Sequence, residues 1–141
     1  MTESIHAALW EWFAGCKSIT KRFFNFSSAN DEDTVIATAG DTLLEEYIDG
    51  SQRRQYAFEI SHFCPITFEQ NSPGNIDMLE EAQSVAHWVS EQNAAGNLPQ
   101  LPAGYTAESI DVLDEYAGYA TAVNTNIAKY MIPMAMTYTK G

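Results

Sequence analysis

The sequence predicts an α+β fold: an antiparallel or mixed β-sheet containing a β-hairpin, with an N-terminal helix and a central helix packed on one face. Three observations carry that prediction. Asp49-Gly50 stands between the runs Leu44–Ile48 and Arg54–Ile60, and both residues tolerate the positive φ of a tight hairpin turn. Within Asn75–Asn93, the residues Leu79, Ala82, Val85, Ala86 and Val89 form an apolar stripe at helical spacing. The segment Ala128–Tyr138 alternates strictly, with Ala128, Tyr130, Ile132, Met134, Met136 and Tyr138 on one face of a long closing strand.

The elements follow in order. Ser4–Cys16 sets Ile5, Leu9, Trp12, Phe13 and Cys16 at helical spacing, with Ser4 as cap and Gly15 near the end. Thr20–Ser27 is aromatic and alternating (Arg22, Phe24 and Phe26 on one face), which predicts a strand. Ser28–Asp33 is polar and acidic, hence a loop, and Thr34–Thr38 is a short β-branched strand. In the hairpin's return arm Tyr56, Phe58 and Ile60 share a face, while Gln55 and Glu59 point away. Phe63–Gly74 reads as a loop carrying Pro65, Pro73 and Gly74, after which Asn75 caps the central helix. Asp77, Glu80 and Glu81 crowd that helix's first turns, where negative charge suits the dipole. Asn97–Pro102 is an extended connector, and Ser109–Leu113 and Gly118–Val123 are strands. Pro133 cannot donate to a ladder, so the closing strand is expected at a sheet edge or across a bulge.

A chain of 141 residues is the size of one domain, so residues 1–141 are expected to form a single unit. Hydrophobic residues at 45% suffice for one core and exclude a disordered chain. Nineteen acidic residues against seven basic ones, a net charge of -12, argue against a protein whose affinity comes from neutralising phosphates. No apolar run reaches the ~20 residues of a membrane-spanning helix. Met1–Cys16 lacks a basic leader and a small-residue cleavage site. Cys16 and Cys64 are no disulfide framework and read as reduced thiols of a cytosolic protein.

Chemistry-bearing patterns are sparse. His6, His62 and His87 fit neither HExxH nor HxH spacing, neither cysteine sits in a CxxC pair, and there is no GxSxG elbow or glycine-rich phosphate loop. Cys64 beside Pro65 could act as a nucleophile only with a base brought to it by the fold. Glu45-Glu46 and Glu80-Glu81 read as solvated charge. The sequence therefore predicts no enzyme, no catalytic or metal site and no cofactor.

Charge is segregated instead. Every Lys and Arg lies up to Arg54 or from Lys129 onward, and the interval Ala57–Ala128 holds ten acids and no Lys or Arg. Solubility alone explains such a pattern. The sharper reading is head-to-tail assembly, with Arg53 and Arg54 beside the hairpin turn meeting an acidic face of the next subunit. Met131, Met134 and Met136 on the closing strand offer an adaptable docking surface if that strand is an edge, and core packing if it is not.

Five motifs stand in order along the chain: Trp10-Glu11-Trp12-Phe13-Ala14-Gly15-Cys16; Glu46-Tyr47-Ile48-Asp49-Gly50-Ser51 leading to Arg54-Gln55-Tyr56-Ala57-Phe58; Asn75-Ile76 opening a helix that carries His87-Trp88-Val89; Gly96-Asn97-Leu98-Pro99-Gln100-Leu101; and Ala128-Lys129-Tyr130-Met131-Ile132-Pro133 followed by Met136-Thr137-Tyr138. Together they resemble the minor capsid, tail-terminator family of long-tailed phages of Gram-positive hosts, proteins of the head–tail joining region. Met131, where the family tends to carry Gln, and Pro133 depart from its pattern. The resemblance implies a virion protein, assembled in the host cytoplasm, that forms a homohexameric ring on the tail tube, stops tube polymerisation and docks the tail to the neck proteins of the head. Its implied partners are its own copies, the major tail tube protein and a head-completion or stopper protein. DNA would pass through the lumen without specific binding, and no membrane is involved. The alternatives are another neck component, a head-completion or stopper protein, and, from a different class, a small cytosolic enzyme with a pocket of convergent polar groups.

Overall fold

The computed structural model describes residues 4–17, 19, 21–24, 33–65, 73–113, 121–122 and 127–141. Along the chain these form α1 (Ile5–Trp12), continued by a 3-10 turn (Phe13–Gly15), then β1 (Lys21–Phe24), β2 (Asp33–Glu46), β3 (Gln52–Pro65), α2 (Pro73–Ala95), β4 (Tyr105–Val112), β5 (Thr121–Ala122) and β6 (Ile127–Lys140). The strands make one sheet in the order β1-β2-β3-β6-β4, and the short β5 pairs with the start of β6. Only β1 runs parallel to its neighbour, so the sheet is mixed and the fold α+β, as expected.

Side-chain alternation explains how the layers assemble. Tyr56, Phe58 and Ile60 of β3 and Tyr130, Ile132, Met134, Met136 and Tyr138 of β6 all project to one face and are buried there. Leu9, Phe13 and Cys16 from the N-terminal helix and Ala82, Val85, Ala86 and Val89 from α2 close over that face to complete the core. Ser4 caps α1 by accepting from Ala7 N at 3.0 Å. Gly15 lets the helical layers approach, because a Cβ there would meet Trp88 Cζ2 at 3.3 Å. Trp12 Nε1 donates to Asn97 O at 2.9 Å and its ring packs at a tilt against Trp88, tying α1 to α2 and to the connector that follows it. Asn93 Oδ1 accepts from Ile110 N at 3.0 Å, which pins the outer edge of β4 to the end of α2.

Several expectations are corrected. The closing strand is interior, flanked by β3 along its whole length and by β4 and β5 on the other side. Pro133 is tolerated because of where it falls. Its carbonyl accepts from Leu113 N at 2.9 Å, so its nitrogen also faces that flank, past the last paired residue of β4 (Val112) and short of β5. The missing N–H thus falls in a local gap among the described strands. Met134 and Met136 are fully buried beside Phe58 and Tyr56, so they are core and not docking surface, whereas Met131 projects to the opposite face and is 38% exposed.

Other boundaries shift. The strand expected at Thr34–Thr38 is the first part of a 14-residue β2, and Asp33 opens it instead of closing a loop. Phe63, Cys64 and Pro65 continue β3, and α2 begins at Pro73, not after an Asn75 cap, because proline's fixed φ and absent N–H suit the first turn of a helix. Strand β4 starts earlier than expected, at Tyr105. Phe26, most of the loop expected at Ser28–Asp33, residues 66–72 and most of the strand expected at Gly118–Val123 lie outside the described residues.

Candidate interaction surface

The hairpin forms an arm. Its turn is closed by Gly50 N donating to Tyr47 O and Tyr47 N donating to Ser51 O, each at 2.9 Å. Gly50 adopts φ +89°, which a side chain rarely does, and Asp49 Oδ1 accepts from both Ser51 N and Ser51 Oγ at 2.9 and 2.6 Å. Those bonds hold the Asp49 carboxyl below its ordinary pKa. Every residue from Thr38 to Gly50 is exposed.

Cross-strand ion pairs stiffen the arm. Arg54 Nε donates to Asp41 Oδ1 at 2.9 Å, and Tyr138 Oη donates to Asp41 Oδ2, so one carboxylate joins β2, β3 and β6. Arg53 Nε donates to Glu108 Oε2 at 2.8 Å, reaching over β6 to β4. The guanidinium pKa values are raised by these partners, Arg53 by its hydrogen bond to Glu108 and Arg54 by its bond to Asp41. Exposed pairs of this kind contribute little to stability and more to geometry. Tyr47 Oη donates to Glu45 Oε2 at 2.7 Å, which raises the phenol's pKa.

The two arginines predicted to lie beside the turn therefore do so, each engaged by a carboxylate of its own chain. Met131 does not join them: it pairs with Ser61, on the order of 26 Å along β3 from Arg53. What composition did not disclose is the apolar end of the arm. Of the seven exposed large hydrophobic residues among those described, Leu43, Leu44, Tyr47 and Ile48 cluster there, and Ile48 is exposed in full.

One buried polar group has no motif in the sequence to mark it. Thr34 Oγ1 lies 2.9 Å from His62 Nδ1, and His62 Nε2 lies 3.1 Å from Glu81 Oε1. A hydroxyl–imidazole–carboxylate chain has the order of a hydrolytic triad, yet Thr34 is 0% and His62 1% exposed. The hydroxyl is closed off from solvent, and the chain forms a polar tie between β2, β3 and α2. Parity could have revealed it, since His62 continues the inward series Tyr56, Phe58, Ile60. His6 Nδ1 bonds Tyr56 Oη at 2.7 Å, and His87 is exposed on α2. Cys16 is a buried thiol, and the Cys64 side chain lies outside the described residues. Among the described residues no group of three His, Cys, Asp or Glu could hold a metal, and no helix is long and apolar enough to cross a membrane.

Two buried phenols make the fold sensitive to alkali. Burial, followed by the bond to Asp41, pushes the Tyr138 pKa far up, and burial raises that of Tyr56. A phenol whose pKa is higher in the folded state favours folding below its unfolded value near ~10 and loses that contribution as pH climbs above it. Melting temperature is therefore expected to fall from about pH 10 upward. In Tyr138→Phe the decline should be shallower, with Tyr56 supplying the remainder. Equal slopes in wild type and variant would refute the assignment.

No protein-family model matches the chain, and no curated protein matches it significantly. Among solved structures it is similar to a chain described as "Virion of native gene transfer agent (GTA) particle", with a TM-score of 0.57 and 12% identity over 98% of this chain and 96% of that one. At that identity the likeness is one of fold.

Proposed function

We propose that this chain is a structural virion protein of a long-tailed phage, its tail terminator: a homohexameric ring that caps the tail tube, stops its polymerisation and joins the tail to the head. The observation that carries this reading is the fold likeness to a component of a gene transfer agent virion, which extends over 98% of this chain. The ordered motifs from Trp10 to Tyr138 narrow it to the terminator. In this reading the protein is no enzyme and binds no cofactor. Its partners are its own copies, the major tail tube protein and the head-completion or stopper protein of the neck.

Physical chemistry supports the role. A ring through which DNA slides must not grip phosphates, and a chain of net charge -12 repels them. A ring also needs two different, complementary patches per subunit, and an arm with an apolar end supplies one. Arg53 and Arg54 serve assembly by holding that arm straight through Glu108 and Asp41.

The test is a phage stock made without the chain. Electron micrographs are expected to show tails of uncontrolled length and filled heads that carry none, with both defects reversed by supplying the wild-type protein. Tails of uniform length beside leaking heads would assign the chain to the stopper position. Normal particles would remove it from the virion.

A further inference from the structure

The arm ends in an apolar tip with acidic neighbours, and another part of the same molecule has the opposite character. Ser4, His6, Ala7, Trp10 and Phe24 line an almost wholly apolar hollow of about 340 Å³ between α1 and β1. At its edge Arg22 lays its guanidinium 3.8 Å over the Trp10 ring. Arg53 and Arg54 each hold a carboxylate, whereas the buried Nε of Arg22 has no hydrogen-bond partner among the described residues. The tip offers the complement: Ile48, fully exposed, with Glu46 and Asp49 on either side.

The tip cannot reach the hollow of its own chain. His6 bonds Tyr56, whose partner across the hairpin is Asp41, so the hollow lies level with that pair. Ile48 stands beyond Asp41 by on the order of 20 Å of strand. The ladder and its ion pairs keep the arm from folding back.

We propose that the hairpin tip of one copy docks into the α1–β1 hollow of a second copy, with Ile48 against Trp10 and Phe24 and the tip carboxylates, Glu46 foremost, facing Arg22. Each subunit then presents a tip to one neighbour and a hollow to the other, a heterologous contact that closes into a ring when its rotation allows. The proposal rests on the ring reading above, and it fixes which surfaces meet. Apolar fill sets the affinity, and the Glu46–Arg22 charge pair sets orientation.

Disulfide trapping tests it on the full chain. Ile48→Cys and Ala7→Cys are made separately, mixed and oxidised, with the wild type and each single variant as controls. A heterodimer band on non-reducing gels is expected in the mixture only, and the double variant should give a ladder. Sedimentation provides the second arm: Ile48→Asp, a fully exposed change that leaves the melting temperature in place, should weaken self-association at least tenfold. Exchanging the charges (Glu46→Arg with Arg22→Glu) should restore what either single change loses. A band in Ile48→Cys alone that persists when Cys64→Ser is added would mean tip-to-tip contact and overturn the docking. So would a mixture without a band, or an Ile48→Asp chain that associates like wild type. If the trap fails while the chain still sets tail length, the docking is wrong and the terminator reading survives. If the trap succeeds in a chain dispensable for tails, the docking stands and the terminator reading falls.

Discussion

Met134→Ala is expected to lower the unfolding free energy by about 2–5 kcal/mol, while Met131→Ala changes it by less than about 0.5 kcal/mol. The two residues are close in one strand and chemically identical, so the contrast isolates burial. Met134 is fully buried between its register partners Phe58 and Val112, and truncation leaves a cavity that the surrounding strands cannot fill. Met131, on the other face and 38% exposed, leaves no such void. Total stability of a single domain is on the order of 5–15 kcal/mol, so the Met134 change removes a large share of it. Urea titration reads both variants, and at unchanged slope the Met134 midpoint should fall well below wild type. Equal midpoints for the two would place Met134 outside the core.

His62→Ala is the second large effect, expected at about 2–4 kcal/mol. Two losses combine. Removing a ring with 1% exposure opens a cavity, and the Thr34 hydroxyl, itself fully buried, is left without its partner at 2.9 Å. Glu81 is 34% exposed on its side chain and can turn to water, so Glu81→Gln should cost less than about 1 kcal/mol. Thermal melts rank the two. A Glu81 change as damaging as the His62 change would mean that the carboxylate, and not the packed imidazole, anchors the tie.

Most of the buried face and the main turn are legible from local signals in the sequence, while element ends such as the start of the central helix at Pro73 are not. Alternation at Tyr56, Phe58 and Ile60 and again from Tyr130 to Tyr138 named most of the sheet's buried face, and Asp49-Gly50 located the turn. Ser4 announced the start of α1. What was missed depends on partners distant in the chain. Pro133 correctly signalled an unpaired ladder position, but whether a whole strand is an edge is decided by which strands lie beside it, here residues 52–65 and 105–112. Ala39-Gly40-Asp41-Thr42 has little strand propensity of its own, yet the ladder growing from the turn carries β2 through it, with irregularities at Thr38/Gly40 and Leu43/Glu45. The arginines were visible as neighbours of the turn, while Glu108, the partner of Arg53, lies 55 residues away. The sequence pattern places Ile48 in a hairpin strand, and only the folded arm shows that no described residue covers it.

The central position of β6 governs how the chain can fold. Its partners at residues 52–65 and 105–112 precede it, so the pairings that hold the middle of the sheet are mostly distant in sequence. Closing such loops must precede the contacts that compensate for them, which makes folding slower than in helical domains built on local contacts. Until β6 arrives, β3 and β4 each present an open edge, and the hairpin arm is a two-stranded ribbon without its third strand. Such edges are where a nascent chain pairs with the wrong partner. The last strand to be synthesised among those described is thus the one that closes the facing edges of β3 and β4 against such mispairing.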